Sequence, residues 1–290
     1  MEPAMSDFQP YWYTSSDGLK LYARDYGPGK APFTVLCMHG LTRNSADFEG
    51  LIDLLRPHYP LLVVDQRGRG QSQYDSDPSR YQVPVYAADM FTLLDSKGIT
   101  DVVLIGTSMG GLIAMQMLAM RPDLIRGVVL NDIGAVIEGA GLARIQSYVG
   151  SRSAAADWQE AARQAQRING AAFPDYSDAD WLRFARRLYR ENSEGLLEPA
   201  YDPAIAQNPP AGDGGPTSVE LWPLFDALAS VPMLIVRGAH SDILSSPCVA
   251  EMLRRKPGAR AVEIPNRGHA PALDEPQAVT AIVTFLEDLA

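Results

Sequence analysis

The sequence predicts an α/β protein: a doubly wound, mainly parallel sheet with a helical cap inserted into it. Three observations predict this. Short apolar runs recur along the chain, as strands buried on both faces require. Segments with helical spacing alternate with those runs. A stretch from 131 to 220 breaks the alternation and is nearly all helical in pattern, with no convincing strand.

Residues 1 to about 10 read as a loose terminus, and Tyr11 to Tyr26 as β-rich, with Asp17-Gly18 as a hairpin turn. The apolar runs follow at Phe33 to Met38, Leu61 to Val64, Val102 to Ile105, Val128 to Leu130, Met233 to Val236 and Ala261 to Ile264. Helices are marked by Phe48, Leu51, Ile52, Leu54 and Leu55, by Tyr86 to Leu94, by Gly111 to Met120, and by Val279, Ile282, Val283 and Leu286. Inside the irregular stretch Trp181, Phe184 and Leu188 fall at i, i+3 and i+7, one apolar stripe. Asn208 to Pro216, rich in Pro and Gly, is the loop through which the main fold would resume. The expected division is a core domain of residues 1–130 and 221–290 and a cap of residues 131–220. Ligands of such sheets bind beyond the carboxyl ends of the strands.

Composition narrows the function. Hydrophobic residues make up 46% and charged residues 21%, as in a globular protein with a sizeable core. The net charge of −10 argues against non-specific nucleic-acid binding. Two cysteines make no disulfide framework, and Cys37, inside an apolar strand, reads as a small buried hydrophobe. No metal-ligand spacing occurs, so no metal is expected. The first residues lack a basic region followed by an apolar run, and no stretch approaches the ~20 apolar residues of a membrane span. A cytoplasmic enzyme without membrane association is the expectation.

Gly106-Thr107-Ser108-Met109-Gly110 is the stretch that carries chemistry. A G-x-S-x-G between a buried strand and a helix is a nucleophile elbow: the turn exposes the serine hydroxyl, and the helix N-terminus favours a nearby oxyanion. Ser108 needs a base to take its proton. His269, after the sixth run and before the last helix, stands where that base belongs. Asp242, a few residues past Val236, is the expected orienting acid, because separate strand-end loops then supply Ser, Asp and His in that order. Its rival is Asp132, after Leu130 at the cap's entry. The backbone N–H groups of Met109 and Leu41 are the expected oxyanion donors.

Met38-His39-Gly40-Leu41-Thr42, Asp65 to Ser72, Gly106 to Gly111 and Arg267-Gly268-His269 together resemble the α/β-hydrolase superfamily, and within it the capped bacterial esterases, lactonases and carbon–carbon bond hydrolases. The resemblance covers about residues 18 to 130 and 220 to 290. It implies nucleophile Ser108, acid Asp242, base His269, oxyanion donors Leu41 and Met109, and neither metal nor organic cofactor. Serine at the elbow departs from the aspartate of epoxide hydrolases and haloalkane dehalogenases. Leu41-Thr42-Arg43-Asn44 departs from the Gly-rich loop frequent in carbon–carbon bond hydrolases.

The implied activity is hydrolysis of a small apolar ester, lactone or related carbonyl compound through an acyl-enzyme. Carbon–carbon bond hydrolysis of a ring-cleavage product is the alternative, and a catalytically silent ligand-sensing scaffold a third. Arg43, Trp181 and Phe184 are candidate substrate contacts, Arg43 for a carboxylate and the aromatic pair for an apolar group. The basic run Arg183, Arg186, Arg187 and Arg190 reads as a solvated face. The sequence leaves open whether the protein is a monomer or a homo-oligomer.

Overall fold

An eight-stranded sheet crosses the molecule, and the chain lays helices on both of its faces. A computed structural model describes residues 8–151, 153–207 and 218–290. The exit loop expected at Asn208 to Pro216 lies outside the described residues.

β1 (Gln9–Thr14) and β2 (Lys20–Asp25) form an antiparallel hairpin. Its turn is closed by Ser15, whose hydroxyl accepts from the Leu19 amide at 2.8 Å, and by Gly18 at φ +90°. Then come β3 (Thr34–Met38), α1 (Glu49–Leu55), β4 (Leu61–Asp65), α2 (Val83–Ser96), β5 (Val102–Thr107), α3 (Met109–Met120) and β6 (Ile125–Asn131). Between β6 and the next strand of the sheet the chain makes a long excursion. It contains β7 (Val136–Ile137), α4 (Gly139–Tyr148), α5 (Trp158–Asn169), α6 (Asp178–Leu188), β8 (Tyr189–Glu191), β9 (Leu197–Pro199), β10 (Val219–Glu220) and α7 (Trp222–Ala227). β11 (Met233–Gly238), α8 (Ser246–Arg255), β12 (Arg260–Ile264) and α9 (Pro276–Glu287) complete the chain.

The sheet order is β1-β2-β4-β3-β5-β6-β11-β12, antiparallel at the β1-β2-β4 edge and parallel from β4 to β12. The mainly parallel, doubly wound architecture is therefore the observed one. The first five apolar runs became strands covered on both sheet faces, whereas the sixth forms the edge strand β12, of which only Ile264 is buried. Val35, Leu36, Val103, Leu104, Val128, Val129, Ile235 and Val236 are all fully buried. Side chains alternate between two cores. One lies under α2, α3 and α8, with Leu36, Leu104 and Ile235; the other lies under α1 and α9, with Val35, Val103 and Val236.

The excursion is less purely helical than its sequence pattern. β7 pairs with β10, and β8 with β9, as antiparallel ribbons. These strands are two or three residues long, too short for the alternation that marks a strand in sequence. A separate apolar cluster fills the excursion, with Ala161, Ala165, Phe173, Trp181, Phe184 and Leu197. α6 starts with a capping box in which Ser177 and Asp180 satisfy each other's backbone amides.

Candidate active site

The carboxyl ends of β3, β5, β6 and β11 converge on one spot, and Ser108 stands at its centre. It follows β5 with φ 53° and ψ −114°, a left-handed conformation unusual for a non-glycine residue. The turn is possible because of its glycines. A Cβ on Gly106 would lie 2.3 Å from the Gly110 carbonyl oxygen, and one on Gly110 would lie 2.0 Å from the Met38 carbonyl oxygen. The Ser108 carbonyl accepts from the Gly111 and Leu112 amides at 2.8 and 3.1 Å, which locks the elbow to the first turn of α3.

His269 Nε2 lies 2.8 Å from Ser108 Oγ, and His269 Nδ1 lies 2.8 Å from Asp132 Oδ2. The sequence points to Asp242 as the partner of His269; in the structure that contact is made by Asp132 instead. Asp242 is held by Arg144 of α4 in a two-pronged ion pair, Nε to Oδ2 at 2.6 Å and Nη2 to Oδ1 at 2.8 Å. Arg144 keeps the Asp242 carboxyl below its ordinary pKa against the opposing effect of burial, the larger single influence. Asp132, the first residue past β6, adopts φ 55° and is fully buried. Its amide donates to Val236 O at 2.8 Å, and its Oδ1 accepts from the Gly238 amide at 2.8 Å. Its Oδ2 also accepts from Ser241 Oγ at 2.5 Å. The loop after β11 thus supplies donors that fix the Asp132 carboxylate, not the carboxylate that meets His269. Asn131 ties the same place to the histidine loop, with Nδ2 donating to Pro271 O at 2.9 Å.

Met109 opens α3 and Leu41 lies in the loop after β3; neither N–H donates to a protein acceptor among the described residues. That loop is braced from below. His39 is fully buried, accepts at Nε2 from the Gln66 amide at 3.0 Å, and so donates from Nδ1 to Gly40 O at 2.7 Å. Burial pushes its pKa down to about 3, so the ring is neutral. Arg69, fully buried, donates from Nε to Leu41 O at 3.0 Å and from Nη1 to Arg67 O at 2.8 Å and Tyr86 Oη at 2.9 Å. Its Nη2 reaches Met109 Sδ at 3.6 Å. One buried cation therefore touches both residues expected to supply the oxyanion donors. Its motif neighbour Arg67 is structural, held by both oxygens of Asp89 at 2.7 Å.

Two cavities meet at Ser108. The larger, about 510 Å³, is apolar and runs between α2, α3 and α4, with Leu112, Ile137, Leu142 and Ile243 on its walls beside Met109. The smaller, about 50 Å³, is mixed: His269, Arg43, Arg187 and Asn169 share its walls with apolar side chains such as Phe48 and Phe173. Phe184 lines the smaller cavity, with the Arg43 guanidinium 4.5 Å above its ring centre. Trp181 is not brought to the site. It is 2% exposed and packs edge-on against Phe173, Tyr176 and Phe184 inside the excursion. Of the basic run, Arg183, Arg186 and Arg190 are exposed, whereas Arg187 turns inward. Sequence reasoning missed Arg187, Arg69 and the chamber residues. Arg187 was hidden by neighbours of like charge, and the others lie on segments that only the tertiary fold brings together. Among the described residues no group of His, Cys, Asp or Glu gathers that could hold a metal ion, and no helix is long and apolar enough to cross a membrane.

Comparison with known proteins agrees with this architecture. Residues 34–276 match the family model described as the alpha/beta hydrolase fold. The chain is 32% identical over 269 residues to a 3-hydroxybutyrate-oligomer hydrolase from Cupriavidus necator, covering 90% of each chain. It is 27% identical to an esterase from Mycobacterium tuberculosis, covering 90% of this chain and 84% of that one. A crystal structure of an α/β hydrolase from Novosphingobium aromaticivorans superposes with a TM-score of 0.91 at 42% identity, covering 98% of this chain and 99% of that one.

Proposed function

This chain belongs to the α/β hydrolase family, and we propose that it hydrolyses carboxylic esters through an acyl-enzyme on Ser108, with His269 as base and Asp132 as the residue that orients it. The observation that carries this reading is the continuous chain from Ser108 Oγ to His269 Nε2 and from His269 Nδ1 to Asp132 Oδ2, both contacts 2.8 Å. The serine hydroxyl proton passes to Nε2 while Oγ attacks the ester carbonyl carbon. The oxyanion so formed is met by the N–H groups of Met109, at the N-terminus of α3, and of Leu41, in the loop after β3. The carbon–oxygen bond of the ester then breaks, and the leaving oxygen takes the proton from Nε2. Water, giving a proton to the same nitrogen, attacks the acyl carbon; the bond to Oγ then breaks and Oγ takes that proton from Nε2, freeing the carboxylic acid and restoring Ser108. Asp132, held by three donors, keeps Nδ1 protonated and stabilises the imidazolium.

The relatives named as an oligomer hydrolase and an esterase support hydrolysis over a silent scaffold, as does the complete contact chain. The excursion is read as a cap. α4 separates the two cavities through Ile145, and the Gly268 amide of the histidine loop donates to Ala172 O at 2.9 Å. A panel of p-nitrophenyl esters, lactones and a vinylogous diketone, run with the protein and with Ser108→Ala, tests the reading. Ester turnover that vanishes with Ser108 supports it. Turnover of the diketone alone, or of nothing, rejects it.

A further inference from the structure

The two cavities at Ser108 are unequal in chemistry, and the position of His269 decides which half of an ester each receives. The leaving oxygen takes its proton from His269 Nε2, so the alcohol half must lie on the His269 side. That is the smaller cavity, which His269 lines together with two arginines. The acyl half then occupies the apolar chamber, which is lined by Leu41 and Met109 but not by His269.

The alcohol side is cationic. Two arginines, Arg43 and Arg187, line it against one carboxylate, Asp47. Arg43 is 15% exposed. Its Nη2 donates to Asn169 Oδ1 at 3.0 Å, which fixes the plane of the guanidinium over Phe184. Its Nη1 is buried, stands 3.5 Å from Asp47 Oδ1, and makes no hydrogen bond among the described residues. A guanidinium held in a rigid plane with donors unused is suited to a planar oxyanion. Arg187, whose Nε stands 3.5 Å from Glu49 Oε2, adds positive charge at the same wall. On a chain of net charge −10 an anionic ligand needs such a local reversal of sign. Ser108, His269 and Arg43 line this one cavity, so a carboxylate on Arg43 belongs to a short alcohol group.

Resting on the ester reading above, we propose that the substrate is an O-acylated short hydroxy acid. Its apolar acyl chain fills the chamber, and its leaving alcohol carries a carboxylate held by Arg43.

The test compares two esters with the same butyryl group. In one the alcohol is a short hydroxy acid with a free carboxylate; in the other that carboxylate is a methyl ester. The ratio of kcat/KM, acid over neutral, is expected to be about 10 or more for the protein, the range of a charge-assisted hydrogen bond. It is expected to fall to about 1 or below in Arg43→Gln and to recover in part in Arg43→Lys, where charge returns without the fork. Arg187→Gln should lower the same ratio, and it reads the point if Arg43→Gln does not fold. A wild-type ratio at or below 1, or an unchanged ratio in both glutamine variants, overturns the proposal. A wild-type protein that shows no such preference yet hydrolyses the neutral ester through Ser108 rejects the carboxylate site alone. Hydrolysis of neither ester rejects the ester reading itself.

Discussion

Asp132 Oδ2 and His269 Nδ1 lie 2.8 Å apart although 137 residues separate them in the chain, and the contact is almost entirely shielded from solvent. An acid in that position holds the imidazole in the tautomer whose Nε2 can accept the Ser108 proton. Asp132→Asn is therefore expected to lower kcat by about 10³- to 10⁴-fold, as loss of the orienting acid does in serine hydrolases. Asp242→Asn breaks only the Arg144 pair, and should cost kcat far less. Steady-state kinetics on one activated ester compares them directly; equal losses, or the reverse order, would remove Asp132 from this role.

Arg69 braces the carbonyl of Leu41 and the side chain of Met109 at once. Losing it should let the oxyanion donors drift, so Arg69→Met is expected to lower kcat by about 10- to 100-fold with a smaller change in KM. Affinity for a trifluoromethyl ketone, which forms an oxyanion on the serine, should fall in step with kcat. An unchanged affinity for that ketone alongside a lowered melting temperature would mean Arg69 only packs the loop.

The chamber and the aromatic cluster of the excursion separate specificity from stability. With Leu112 on the chamber wall, kcat/KM should rise from acetyl to hexanoyl esters by up to about fourfold per methylene, and Leu112→Trp should end that rise early. Trp181 packs the excursion, so Trp181→Ala should lower stability by about 3–5 kcal/mol and leave the ranking of esters as it was. Thermal melts and a chain-length series distinguish the two. A reordered substrate ranking in Trp181→Ala would restore it as a substrate contact.

His39 makes the fold sensitive to acid. Its pKa falls from an ordinary 6.5 to about 3 on burial. Above about pH 6.5 the ring is neutral in both folded and unfolded chains and adds no pH dependence. Below that the unfolded chain takes up a proton that the folded chain refuses, so stability is lost as pH falls from about 6.5 toward 3, by on the order of a few kcal/mol. His39→Asn should flatten the decline of melting temperature across this window. Parallel curves for the two proteins would contradict the assignment.

The sheet was legible because the parallel strands are built around short apolar runs, and Ser108 because the glycines around it are forced by contacts to Met38 and Gly110. His269 was legible from its place between the last strand and the last helix. The acid was not. Asp132 and Asp242 both follow buried strands, and position along the chain does not say which carboxylate turns inward. That depends on a left-handed backbone at Asp132 and on Arg144, which reaches across from α4 to hold Asp242. The short ribbons β7–β10 and β8–β9 were invisible for a simpler reason: two or three residues carry no periodicity. Trp181 and Phe184 share one stripe of α6, yet only Phe184 reaches the smaller cavity.

The central claim is that Ser108 carries the acyl group between two half-reactions. The most direct measurement is rapid-quench mass spectrometry of the protein mixed with p-nitrophenyl butyrate, followed by peptide mapping. The predicted result is a transient butyryl adduct on the peptide containing Ser108, formed with a burst of p-nitrophenol, absent in Ser108→Ala and slow to form in Asp132→Asn. Turnover at the wild-type rate in Ser108→Ala, or an adduct on any other residue, would contradict it.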